Sequence, residues 1–158
     1  MINFKDYFTS QIVFEKISDL AEILQAEVYV VGGFVRDLIL SRVKKEIDFL
    51  VVGNGIEFAE KLAQSLKIKN ISVYKNFGTA HFKYKDFDYE FVGARKESYK
   101  KESRNPEVEI GTFKDDIERR DFTINTLAVS LNKKSFGELI DTFDGLKDIE
   151  NKIIKTPL

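Results

Sequence analysis

The chain of 158 residues contains no cysteine, which excludes disulfides and cysteine-ligated zinc. No apolar run approaches the roughly 18 residues that a membrane span needs. The opening residues, MINFKDYF, lack the pattern of a signal peptide. A cytoplasmic protein with no membrane partner is therefore expected. A basic excess is missing as well: 25 Lys and Arg face 26 Asp and Glu, for a formal net charge of −1. Proteins that follow a phosphate backbone over a long stretch usually carry a strong positive excess. Extensive tracking by this chain alone is not expected, although Arg119 and Arg120 form a local basic pair. Neither GxxxxGK nor GxGxxG occurs, so the P-loop and dinucleotide fingerprints do not apply. The single histidine, His81, is accompanied by no serine or cysteine nucleophile pattern and reads as a packed or surface strand residue.

What is present fits one globular domain in length, with 43% hydrophobic residues, 32% charged residues and 14 Phe to fill a core. Val13, Ile17, Leu20 and Leu24 recur at helical spacing after Ser10, a plausible N-cap. Val28 to Val31 reads as a buried strand that ends at Gly32-Gly33, followed by a helix from about Phe34 to Leu40 and a second buried strand from Ile47 to Val52. Asn54 and Glu57 fit a capping box ahead of a helix marked by Ile56, Ala59, Leu62, Ala63 and Leu66. Three strand-like runs follow, Ile71 to Tyr74, Thr79 to Tyr84 and Phe87 to Val92, separated by turn residues. Residues 95 to 113 are charged, aperiodic and interrupted by Asn105-Pro106, which predicts a long functional or mobile loop. A helix is expected over roughly Asp115 to Ala128, a last strand over Gly137 to Asp141, and a polar helix or turn from Gly145. The fold class is α/β (α+β mixed), with one mixed sheet. The expected organisation is an N-terminal helix over residues 1–25, a head domain over 26–143, and a further segment beginning at 144.

Four constellations carry candidate chemistry. Gly32-Gly33-Phe34-Val35-Arg36-Asp37 lies between a strand and a helix. Glycines there allow close backbone approach, and the helix start offers free N–H groups suited to phosphate; a plain tight turn is the alternative. Glu46-Ile47-Asp48 opens a strand, so its two acids share a face. Such paired carboxylates repel each other unless a cation such as Mg²⁺ sits between them, or they are simply exposed strand-end acids. Glu90 lies inside an aromatic strand. It either completes a three-carboxylate cluster suited to two-metal chemistry or faces water with Asp88. Arg119-Arg120-Asp121-Phe122-Thr123-Ile124-Asn125 suits triphosphate oxygens and a sugar or base. Asp121 would cap a helix or orient an arginine, and the alternative is a solvated charged surface.

In this order and spacing, the segments resemble the head domain of class II tRNA nucleotidyltransferases and bacterial poly(A) polymerases, within the polymerase-β superfamily. The matching text is Val31 to Asp37, Glu46-Ile47-Asp48, Arg119 to Asn125, and Asp141-Thr142-Phe143-Asp144-Gly145-Leu146-Lys147-Asp148, over about residues 26 to 158. The resemblance implies a small mixed sheet flanked by helices. It implies Mg²⁺ held on Glu46 and Asp48, and phosphates met by Gly32, Gly33 and Arg36, with Asp37 in the same motif. It further implies nucleotide contacts from Arg119, Arg120, Asp121 and Asn125, with Glu90 as a third catalytic acid and Arg95 nearby. The implied reaction is metal-dependent, template-independent transfer of CMP or AMP from CTP or ATP to the 3′ end of RNA, tRNA CCA addition first, with poly(A), CC-only or A-only addition as variants. A module that binds NTP without catalysis is the alternative of another class. Two departures accompany the likeness. Glu46 stands where the family usually has aspartate, and the helical neck, body and tail that select base and hold tRNA are not matched, so residues 144–158 are expected to begin a truncated neck.

Overall fold

Alternation with a period of two gives each central strand two unlike faces, and the fold is built on that difference. The computed structural model describes residues 4–42, 44–99 and 106–158, with the backbone alone at 96–99 and 106–110. Two helices, α1 (Phe4–Thr9) and α2 (Ile12–Leu24), precede strand β1 (Glu27–Val31). A short helix α3 (Gly33–Ile39) leads to β2 (Glu46–Val52), and α4 (Gly55–Ser65) leads to a meander of β3 (Ile71–Tyr74), β4 (Thr79–Tyr84) and β5 (Phe87–Gly93). A hairpin of β6 (Arg95–Tyr99) and β7 (Pro106–Ile110) comes next, followed by α5 (Phe113–Glu118), β8 (Ala128–Ser130), β9 (Leu139–Ile140) and α6 (Gly145–Glu150).

Seven strands form one sheet in the order β3-β4-β5-β2-β1-β8-β9. Every pairing in it is antiparallel except β2 with β5. A parallel pair needs a long crossover, and α4 together with β3 and β4 supplies it. One face carries the main core: Val28 and Val30, Ile47, Phe49 and Val51, Ala80 and Phe82, and Tyr89 and Phe91 pack with Phe14, Ile17, Phe58 and Leu62 of the helices. The Phe49 and Phe91 rings stack with centroids 4.5 Å apart. Six phenylalanines, Phe8, Phe14, Phe49, Phe58, Phe82 and Phe91, are fully buried, each contributing about 1.5–3 kcal/mol of transfer free energy. The other face holds a small cluster of Val31, Leu50, Ala94 and Ala128 with Phe113 beside it. The rest of that face is left to polar side chains. Among the described residues no helix is long and apolar enough to cross a membrane.

The mixed α/β sheet agrees with the expected fold class, and three local readings need correction. Ser10 is not an N-cap: its hydroxyl donates to the carbonyl of Tyr7, and α2 starts after Gln11 with no side-chain cap. The single N-terminal helix is two helices, both contributing to the main core. Within the stretch expected as a loop over 95–113, the described residues 95–99 and 106–110 are strands. β6 and β7 pair from Arg95 opposite Ile110 to Tyr99 opposite Pro106, and Asn105 lies outside the described residues. Their few apolar side chains gave no period to read, while backbone pairing needs none. The expected helix over 115–128 stops at Glu118. Asp121 then accepts the N–H of Phe122, a local bond that competes with helix continuation, and Thr123–Asn125 form a single 3-10 turn before β8. At α4, Asn54 accepts the N–H of Glu57, so the cap reading holds on the Asn54 side.

Candidate active site

The register of β2 with β5 aligns Glu46 with Asp88 and Asp48 with Glu90. In the adjoining pair, Glu90 aligns with His81 and Asp88 with Lys83. Since Ile47, Phe49, Tyr89 and Phe91 face the main core, alternation sends Glu46, Asp48, Asp88 and Glu90 to the opposite face. Burial is the chief cause of a raised Asp48 pKa, which Lys44 and Arg120 oppose and Glu46 adds to. Glu90 is also raised, first by burial and then by Asp48, with His81 opposing and Glu46 adding. The acids therefore feel one another across the sheet, the electrostatic situation that a bound cation relieves.

The glycine turn closes on the same place. Gly32 has φ +73°, a conformation that side chains with a Cβ adopt only with strain. A Cβ built on it would lie 3.6 Å from Arg120 Nη1 and 3.8 Å from Asp48 Oδ2. Turn, carboxylate and guanidinium thus meet within one contact shell. A Cβ on Gly33 would come 2.6 Å from Lys44 Nζ and 3.2 Å from Arg36 Nη2, so two cations lie over the start of α3. At this helix start Val35 and Arg36 already donate their N–H groups to the carbonyl of Gly32, at 3.1 and 3.3 Å.

Behind the turn, the arginines are held by carboxylates. Arg36 Nε donates to Asp37 Oδ1 at 3.1 Å, and its Nη1 donates to Asn125 Oδ1 at 2.8 Å. Asn125 Nδ2 in turn donates to Asp121 at 3.0 Å. That bond, first among several causes, lowers the Asp121 pKa. Asp37 and Asp121 therefore fix Arg36 directly and through Asn125. Arg119 and Arg120 both converge on Asp116, each Nη2 at 3.1 Å from a different carboxylate oxygen. Asp116 is fully buried and also accepts the backbone N–H of Arg95. Arg120 Nε is buried without a hydrogen-bond partner among the described residues.

The Asp141–Asp148 motif is a brace for this cluster. Asp141 accepts the N–H groups of Gly145 and Leu146 at the start of α6, and Thr123 donates its hydroxyl to Asp148. A Cβ on Gly145 would fall 2.5 Å from the carbonyl oxygen of Thr123. Gly145→Ala is therefore expected to cost about 1–3 kcal/mol by overpacking, lowering Tm by roughly 2–4 °C per kcal/mol. A melting curve matching wild type would remove this packing argument.

Two residues of the cluster escaped the sequence reading. Asp116 lies three and four residues before Arg119 and Arg120, a helical ion-pair spacing that was visible in principle. Lys44 carried no local signal, because only folding brings it over Gly33. His81 is a half-exposed strand residue, with Nε2 3.6 Å from Asp88 Oδ1. Among the described residues no three Asp, Glu, His or Cys side chains are arranged to hold one metal ion. Glu46 and Asp48 are two acids on one face of β2, where they would offer a cation a two-carboxylate set. Such a set fits Mg²⁺, which commonly takes one or two carboxylates and completes its shell with water and substrate phosphates.

Fold and face together define a mixed α/β domain, with acids at the centre of a sheet face and guanidinium groups at its flank. The chain belongs to the poly(A) polymerase head-domain family, whose sequence profile matches residues 28–155. It is 44% identical over 127 residues, 80% of its length, to the A-adding tRNA nucleotidyltransferase of Aquifex aeolicus (strain VF5), of which it spans 15%. It is 35% identical over 130 residues, 82% of its length, to the CC-adding tRNA nucleotidyltransferase of Deinococcus radiodurans, of which it spans 34%. A crystal structure of a tRNA nucleotidyltransferase with a primer tRNA and an incoming ATP analog superposes with a TM-score of 0.78 at 38% identity, covering 90% of this chain and 39% of that one.

Proposed function

We propose that this chain is the catalytic head of an enzyme that transfers CMP or AMP from CTP or ATP to the 3′ end of RNA, most naturally a tRNA, in the cytoplasm and with Mg²⁺. The observation that carries this reading is the meeting of Gly32, Asp48 and Arg120 within 3.6–3.8 Å, supported by the likeness to a tRNA nucleotidyltransferase seen with primer tRNA and an ATP analog. Similarity to both A-adding and CC-adding relatives accords with either base as the one transferred.

In this proposal Glu46 and Asp48 would hold the metal, whose chemistry is to neutralise phosphate charge and favour the alkoxide form of the attacking hydroxyl. The Gly32-Gly33 turn, Lys44 and Arg36 receive the β- and γ-phosphates. Arg119 and Arg120 are oriented by Asp116 toward the same triphosphate, with Arg120 Nη1 next to the Gly32 turn. Asp121 and Asn125 border the ribose and base. The RNA 3′ oxygen forms a bond to the α-phosphorus as the bond to the bridging oxygen breaks and pyrophosphate leaves. Glu90, the register partner of Asp48 with its pKa raised by burial and by Asp48, would take up the hydroxyl proton. The remaining acceleration comes from positioning and preorganised charge.

Glu46 in place of aspartate favours a second reading, a module that binds NTP without turning it over. Calorimetric titration of ATP and CTP, with Mg²⁺ and with EDTA, separates the two when paired with pyrophosphate release in the polypeptide that carries this head. Binding strengthened by Mg²⁺, with pyrophosphate released only when RNA is added, is the expected result. Metal-independent binding with no release would support the module.

A further inference from the structure

The helix-covered face of the sheet holds a pocket of about 310 Å³ that the chemistry proposed above does not use. Its walls are the rings of Tyr84, Phe87 and Tyr89 and the aliphatic side chains of Ile12 and Val13. The rings come from β4 and β5, and the aliphatic pair comes from the start of α2. Tyr84 and Tyr89 meet edge to face, with ring centroids 6.1 Å apart. Tyr89 precedes Glu90 on β5, so the two side chains point to opposite faces. The sheet itself therefore separates this pocket from the acids.

Polar groups are few here and specifically placed. Tyr89 is 2% exposed and lines the pocket, and its hydroxyl has no hydrogen-bond partner among the described residues. A hydroxyl withdrawn from water without a partner is costly. Burial first, then Tyr84 and Tyr7, raise the Tyr89 pKa, so the phenol keeps its proton and remains a donor. Gln11 lines the same pocket, and its side chain makes no cap to α2. Lys85 brings the charge. Its backbone is left-handed, with φ +47°, and its Nζ lies over the Tyr84 ring, 5.4 Å from the centroid. Asp86 follows it in the turn, but no carboxylate is among the lining residues.

Small-molecule sites are concave and mostly apolar, with a few polar groups that fix orientation. This pocket has a buried donor in Tyr89 and an exposed cation in Lys85. A planar ring suits its aromatic walls, an acceptor on that ring would meet the Tyr89 hydroxyl, and an acidic group would meet Lys85. We propose that the pocket is a binding site for a small planar aromatic acid, separate from the nucleotide and RNA sites on the other face of the sheet. The inference stands independently of the nucleotidyl-transfer reading.

The test titrates this chain with coumarin-3-carboxylate, which joins a planar ring, a ring carbonyl and one carboxylate, and with uncharged coumarin. Saturation-transfer NMR and calorimetry give the affinities. One molecule of the acid is expected to bind saturably, more tightly than coumarin, and excess Mg·ATP should not displace it. Tyr89→Phe should weaken both probes roughly fivefold with no loss of Tm. Lys85→Asn keeps a residue that accepts the left-handed backbone; it should weaken the acid roughly threefold and leave coumarin within about twofold. Ser10→Phe, a change at an exposed lining residue, should fill the pocket and abolish binding of both. No saturable binding at millimolar probe, equal binding by wild type and Ser10→Phe, or displacement by Mg·ATP would overturn the site. Equal wild-type affinity for the acid and coumarin would overturn the assignment of an acidic ligand.

Discussion

Asp48→Asn is expected to reduce nucleotidyl transfer on the order of 10²–10³-fold, the scale of losing one charge-stabilising group, while making the protein more stable at neutral pH. The activity loss follows from the position of Asp48, whose carboxylate lies next to the Gly32 turn and within the field of Lys44 and Arg120. The stability gain follows from linkage. Burial raises the folded-state pKa of Asp48 above its ordinary value, so the native state binds more protons than the unfolded chain across the interval between the two values. Stability then falls as pH rises through that interval and stays lower above it. The neutral amide has no such dependence. Its advantage should be full at pH 7 and vanish below pH ~4, where the wild-type carboxyl is protonated in both states. Each kcal/mol relieved raises Tm by roughly 2–4 °C in a domain of this size. Mg²⁺ should narrow the gap by stabilising wild type alone. Paired melting curves at pH 3.5 and pH 7.5 give the comparison, and a variant less stable than wild type at both would sink the idea that Asp48 is held at a stability disadvantage for function.

Asp116→Ala is expected to be the most damaging single change at the site, through structure rather than direct chemistry. The carboxylate is fully buried and ties together Arg119, Arg120 and the backbone of Arg95. Removing it leaves two guanidinium groups, 27% and 20% exposed, without their anion. Breaking a buried pair costs about 3–5 kcal/mol. The arginines retain some access to water, so about 3 kcal/mol is expected here, together with weaker nucleotide binding as both lose their aim. Urea denaturation at pH 7 and ATP titration of the surviving folded protein measure the two effects. A change under about 1 kcal/mol would mean the arginines are held by other groups.

Much of the fold was legible along the chain. The buried runs at Val28–Val31 and Ile47–Val52 and the alternating runs of the meander carry their own periodicity, and they became β1 to β5. Glu46 and Asp48 share a face for the same reason, since a period of two admits no other outcome in an unbroken strand. The hairpin at β6 and β7 was hidden because its pairing is made by backbone groups in a charged stretch. The helix expected past Glu118 failed because Asp121, Thr123 and Asn125 have side-chain partners that compete with helical bonding. Lys44 over Gly33 could not be foreseen, since the ten residues between them carry no information about the path of the chain.

Local periodicity and residue chemistry, both properties of neighbours in sequence, by themselves determined the mixed α/β class, the glycine turn, the paired acids and the arginine pair. Tertiary structure alone decided that β5 lies beside β2, which sets Glu90 next to Asp48. It alone also seated Asp116 beneath both arginines. The physical reason is that strand order and register are chosen by burial of the opposite, phenylalanine-rich face. The polar face that does the proposed chemistry inherits its arrangement from a core on the other side of the sheet.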